Sequence, residues 1–167
     1  IHLVTKIYFP REIFPIAAVA ASFFDFLVAS VVFVGMMICY RVTASMALLM
    51  VPILVAIQIL LTFGVVFVAS AVNVFFRDIR YIVPLGVQIW MFASPVIYPV
   101  SIVPERLRFV YSLNPMAVLL DGYRSLILAG ELPSLKLLGL AAAISIGLFM
   151  LSYRIFKKLE MKFADVI

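Results

Sequence analysis

The side chains best suited to chemistry are few in this chain and lie far apart. It holds one histidine, His2, and one cysteine, Cys39, so neither a zinc cluster nor a Cys–His nucleophile pair can be assembled from it. Asp25, Asp78 and Asp121 are scattered, whereas an enzyme acting on phosphates would need clustered acids with a metal, or a histidine. No G-x-x-x-x-G-K-S/T loop is present to cradle a nucleotide. The chain therefore does not hydrolyse ATP itself, and energy for its work comes from a partner subunit or an ion gradient. A single cysteine permits no internal disulfide and says nothing about an oxidising compartment.

Individual polar side chains interrupt long apolar runs. Asp25 sits midway along the first run, where a charge is costly unless hydrated or paired. Two readings of it stay open: a residue facing a polar pathway or a neighbouring helix, and a protonated carboxyl bonded to a nearby hydroxyl such as Ser22. Gln58 and Gln88 are neutral and read first as side chains that knit helices together. Ala17/Ala21, Ala18/Ser22 and Ala143/Gly147 are small residues four apart, a spacing that lets helices approach closely. Arg77, Asp78 and Arg80 form the densest charged cluster between runs, read as an anchor at the membrane surface or a docking loop. Asp121 and Arg124, three apart on a short helix, either pair with each other or line a passage. Aromatics such as Tyr8, Phe9, Phe14, Tyr40, Phe75, Phe76, Tyr81, Tyr98, Tyr153 and Phe156 gather near the ends of runs, as an interfacial belt would. The alternative is a set of flat faces along which sugar rings slide.

The elements that must position these groups follow from composition. Of 167 residues 66% are apolar and 13% charged, with a mean hydropathy of +1.25, against roughly 45–50% and about 25% for a soluble domain. That excess rules out a soluble enzyme, a secreted disulfide domain and a disordered chain, and supplies four or five spans of ~20 residues. The reading is an all-α membrane protein forming one transmembrane domain over 1–167. Spans are expected at about 13–39, 46–71, 82–99 and 135–156, with a compact charged loop at 73–81 and a cytosolic tail at 157–167. Between the last two spans, prolines at 95, 99, 104, 115 and 133 punctuate apolar sequence. Pro104 can open a helix through Leu113, and Asn114-Pro115 reads as cap and first position of a second that runs to Ala129 and stops at Gly130. At roughly 15 and 21 Å neither crosses a bilayer, so the segment at about 100–130 is expected to be a re-entrant or interfacial hairpin. With residue 1 inside, eight Lys and Arg fall on the inner side and five on the outer, which favours both ends inside and the hairpin outside. The net charge of +5 is accordingly loop topology rather than affinity for nucleic acid. The first residue is Ile, and the chain is expected to be the C-terminal portion of a longer one.

One stretch is more specific. NVFFRDIRYIVPLGVQIWMFASPVIYPVSIVPERLRFVYSLNPMAVLLDGYRSLILAG (73–130) contains FRDI (76–79), SPVIYP (94–99), NP (114–115) and DGYRSLI (121–127), and KIYFPRE stands at 6–12. In order and spacing these resemble the permease subunit of bacterial ABC transporters that export O-antigen, teichoic acid or capsule chains. The resemblance covers essentially the whole chain. It implies that the four spans are the third to sixth of six, the first two and an amphipathic N-terminal helix being absent.

The resemblance further implies a homodimer of permeases bound to ABC ATPase subunits in the bacterial inner membrane. ATP and Mg would sit on the partner and no cofactor on this chain. The cargo would be polysaccharide on undecaprenyl diphosphate, entering from the cytosolic side through a channel among membrane lipids. Lys6, Tyr8, Arg11 and Glu12 would face the ATPase, with Arg77, Asp78 and Arg80 in a cytosolic loop. Asp25, Trp90, Phe92 and Tyr98 are candidates for the channel lining. Pro104, Asn114, Pro115, Asp121, Tyr123 and Arg124 would belong to the periplasmic gate. Rival readings are an exporter of the same class moving a drug or small lipid, a proton-coupled carrier using Asp25, and an intramembrane enzyme acting on polyprenyl phosphates.

Overall fold

The computed structural model describes residues 11–41, 45–76, 78–96 and 104–160. Lys6, Tyr8, Arg77 and Tyr98 lie outside the described residues, as does most of the tail expected at 157–167. Every regular element among the described residues is helical: α1 (Ile13–Cys39), α2 (Val51–Phe75), α3 (Ile79–Ala93), α4 (Glu105–Leu113), α5 (Pro115–Arg124) and α6 (Leu135–Glu160). Three apolar helices are long enough to cross a membrane: Ile13–Cys39, Leu135–Glu160, and Met46–Phe75, in which a 3-10 turn leads into α2.

Local chemistry sets the ends. Arg41 adopts a left-handed backbone (φ 54°) that closes α1. Ser45 caps the following 3-10 turn by accepting from the Ala47 amide (3.3 Å), and Pro52 falls in the first turn of α2, where its missing amide costs nothing. The loop expected at 73–81 is shorter, because α2 continues through Phe75 and α3 opens at Ile79. The third span also differs from the expected 82–99. α3 stops at Ala93, because Ser94 precedes a proline and is driven into extended backbone (ψ 146°). Its 15 residues rise about 22 Å, short of a ~30 Å hydrocarbon core.

The core is a seam between α2 and α6, which run parallel. Buried residues recur along α2 at Leu54, Ile57, Leu61, Gly64, Phe67 and Ala71, and along α6 at Leu138, Ala141, Ser145, Ser152 and Phe156. Steps of three, four and seven keep one stripe of each helix on the other. At one end Leu54, Ile57 and Leu61 join Leu138 and, from the hairpin, Leu119 and Leu126. At the other end Phe67 and Ala71 pack on Phe156, with the Phe67 ring 5.2 Å from that of Phe156 and 5.6 Å from that of Tyr153. Tyr153 and Phe156 thus belong to packed structure rather than to an interfacial belt, whereas Phe14, Tyr40, Phe76 and Tyr81 are exposed.

The two helices come close together at Gly64, where an added Cβ would stand 2.9 Å from Leu148 Cγ and 3.2 Å from the Phe149 amide nitrogen. The small pair Ala143/Gly147 does not form this contact. Both residues are exposed, and nothing lies within 4 Å of a Cβ built on Gly147. Proximity came from a lone glycine on α2 because α6 meets it with larger side chains.

Candidate functional site: the hairpin and its polar joint

Asn114-Pro115 makes the corner of the hairpin. Pro115 supplies the first helical position of α5, and the Asn114 side chain accepts from the Met116 amide (3.1 Å) as its cap. After Arg124 the backbone makes a π-helical turn, Ser125–Ala129, which Gly130 ends with φ 68°. Ser45, at the other side of the α1–α2 connection, donates to the Gly130 carbonyl (3.1 Å). The hairpin therefore sits at the end of the bundle where α1 finishes and where α2 and α6 begin.

Asn114 does more than cap. Its Oδ1 also accepts from Trp90 Nε1 (3.2 Å), and its Nδ2 donates to Ser94 Oγ (2.9 Å). Ser94 is 1% exposed. Arg124 Nη2 donates to the Val96 carbonyl at 2.7 Å. Two sites on the hairpin thus hold the last turn of α3 and the extended residues that follow it. This anchorage matters because α3 buries none of its residues along its helical length. Tyr123 reaches the opposite way and donates to Gln58 Oε1 on α2 (2.9 Å), so Gln58 knits helices together.

A cavity of about 370 Å³ opens between α4, α5 and the start of α6, bordered by Phe109, Tyr111, Ser112, Asp121, Ser134 and Leu137. Asp121 is exposed on its wall, while the Arg124 guanidinium turns to Val96, so the two residues serve different surfaces. Within the hairpin the structure brings Asn114, Pro115, Tyr123 and Arg124 into one packed unit. Pro104 precedes α4 and is exposed.

The remaining candidates are dispersed. Trp90 is half-buried in the Asn114 joint, and Phe92 is 59% exposed two residues on. Asp25 is exposed on α1, about 90° around the helix from the Val19, Ser22 and Phe26 side that borders α2. Asp78 and Arg80 are exposed at the start of α3, the Arg80 guanidinium lying 4.7 Å from the Tyr81 ring centre. At the start of α1, Glu12 forms an ion pair with Lys157 of α6, and the Arg11 amide donates to Glu160 (3.2 Å). Sequence reasoning assigns no contact to Ser94, Lys157 or Glu160. Only the Ser-Pro step, which ends α3, marked Ser94 as a position of consequence.

The ABC-2 type transporter family model matches residues 2–128. Similar proteins include two named O-antigen export system permease protein RfbA from Klebsiella pneumoniae, at 28% and 27% identity, and one of that name from Myxococcus xanthus, at 29%. Each alignment takes in 99% of this chain and 64% of the relative, so the chain spans about two-thirds, and somewhat less, of their length.

Proposed function

The chain belongs to the ABC-2 type transporter family, and from that premise we propose that it is the permease part of an ATP-driven exporter of lipid-linked polysaccharide in the bacterial inner membrane. It is a transport subunit rather than an enzyme. Two copies form the passage, and ATP hydrolysis, with its Mg, resides on a separate ABC ATPase, since the 167 residues hold no phosphate loop. The relatives named as O-antigen export permeases support the choice of cargo.

The observation that carries the reading is the hairpin α4–α5. Its helices are about 14 and 15 Å long, too short to span. They stay at the end of the bundle by packing into the α2–α6 seam and by the Asn114 and Arg124 bonds to the end of α3. Such a hairpin is a ready-made outer gate, packed on protein as irregular backbone at membrane depth must be. The positive-inside bias places it on the periplasmic face.

The first test is a mild-detergent pull-down of the tagged full-length protein from its native membranes. A stoichiometric subunit carrying a phosphate-loop motif is expected, and recovery of the protein alone would overturn the reading. Asp25→Asn then discriminates mechanism. Exposed away from α2, Asp25 is not an obligatory proton site, so export should fall only partially. Complete loss with normal assembly and normal partner hydrolysis would favour a proton-coupled carrier.

A further inference from the structure

At the end of the bundle opposite the hairpin, the first turn of α1 is tied to the last turns of α6. Lys157 Nζ pairs with Glu12 Oε1 and, at 3.0 Å, with Glu160 Oε2. The Arg11 amide donates to Glu160 Oε1 (3.2 Å), and Tyr153 Oη stands 3.5 Å from Glu12 Oε1. The residues at the start of α1 lie 141 to 149 positions from their partners on α6. Glu12 and Glu160 are 19% and 13% exposed, so one lysine holds two largely desolvated carboxylates together. Removing that lysine takes away the cation the two carboxylates share, which weakens the tie between the segments.

The far end of α6 carries the hairpin. Leu138 shares a buried cluster with Leu119 and Leu126. A Cβ on Gly122 would lie 3.8 Å from Pro133 Cβ, just before α6. Between these ends α6 is an unbroken helix of 26 residues without proline, about 39 Å long, braced along its length by α2. A rod gripped at one end and packed on the hairpin at the other carries displacement between them.

We propose that the Glu12–Lys157–Glu160 clamp makes the start of α1 and the end of α6 one mechanical unit, so that movement imposed at the cytosolic start of α1 is carried along α6 to the outer hairpin. Lys157 and Glu160 are then positioning residues for transport. This inference rests on the reading of the chain as a permease driven by a cytosolic ATPase.

The test uses the full-length protein reconstituted with its ATPase partner, measuring subunit stoichiometry, ATP hydrolysis and polymer export separately. Lys157→Met should leave assembly and hydrolysis near the unmodified level while export falls roughly tenfold, within the ordinary range of coupling between sites. Glu160→Gln keeps an acceptor for the Arg11 amide but loses the ion pair, and should give a smaller loss of the same kind. The reversed pair Glu12→Lys with Lys157→Glu should recover most of the export, since lysine at 12 again lies between two carboxylates. Unchanged export in both single variants would overturn the clamp. So would export that falls only in step with assembly and hydrolysis, as a merely structural role requires, or a reversed pair no better than Lys157→Met. A wild-type preparation holding no ATPase subunit would instead overturn the permease reading, and the inference with it.

Discussion

Replacing Asn114 with alanine removes three bonds at one corner of the hairpin. The lost cap on Met116 is worth ~1 kcal/mol. The bonds from Trp90 and to Ser94 cross between elements at membrane depth, where such interactions average about 0.6 kcal/mol each. Together they amount to about 2 kcal/mol, or roughly thirtyfold in the ratio of docked to undocked hairpin. Asn114→Ser separates the contributions, because serine caps as well as asparagine but is too short to reach both Trp90 and Ser94. It should cost about 1.2 kcal/mol, or roughly sevenfold. Local opening is read directly by amide hydrogen exchange across α5 (115–124), whose protection should fall by these factors in the order Ala, then Ser, then Asn. The emission of Trp90, the one tryptophan of the 167 residues, should shift to longer wavelength in both variants. Unaltered exchange in Asn114→Ala would refute the joint. Equal protection in the Ser and Ala variants would show that the cap contributes nothing and would refute the division made here.

The other predictions concern the seam and its ends. Gly64→Leu places a side chain where a Cβ alone meets Leu148 and the Phe149 backbone at 2.9 and 3.2 Å. The cost should be about 1–3 kcal/mol, seen as a lower thermal unfolding midpoint of the purified protein, with Gly64→Ala milder. Ser152→Ala should raise that midpoint, since the Ser152 hydroxyl is buried without a partner among the described residues and an unsatisfied buried group costs about 1–3 kcal/mol. Gly130→Val should lower it, at a cost of about 1–2 kcal/mol, because φ is 68° there. Gly130→Asn, tolerated in the left-handed region, should cost less.

Much of this architecture is legible in local sequence because it depends on local chemistry. Asn114-Pro115 marks the start of α5, since a cap and a first-turn proline act within four residues. Gly130 marks the end of the π-helical turn that continues α5, through backbone freedom. The apolar mass announces membrane helices, as their length and composition also do in the structure. Hydropathy alone carried the third span on to residue 99, because Val96 and Ile97 continue the apolar run. The backbone obeys Ser94-Pro95 instead, whose steric clash outweighs hydropathy. Position near the end of a run likewise assigns Tyr153 and Phe156 to a belt, although their spacing with Phe149 fits the stripe that packs on α2. In a helix apolar on every side, that stripe has no polar face to contrast with.

What the sequence conceals are the joints, and the reason is physical. Lipid tails are as apolar as leucine, so no hydrophobic force draws membrane helices into one arrangement. Shape and a few polar bonds must select it. In this chain the shape lies at Gly64, where α2 and α6 come together along a continuous seam. The polar bonds lie at the two ends of that seam: Asn114 with Trp90 and Ser94 beside the hairpin, and Lys157 with Glu12 and Glu160 at the other. Their partners are 20 and 24 residues apart in the first case, and as many as 149 where α1 meets α6. No periodicity or motif joins residues so distant. Each polar side chain in such a chain is therefore better read first as half of a contact whose other half is elsewhere. Asp25, exposed on α1 and without a hydrogen bond or ion pair among the described residues, is one position where that rule yields no partner. The Asp25→Asn variant is accordingly the one whose export measurement separates a bystander from a residue of the pathway.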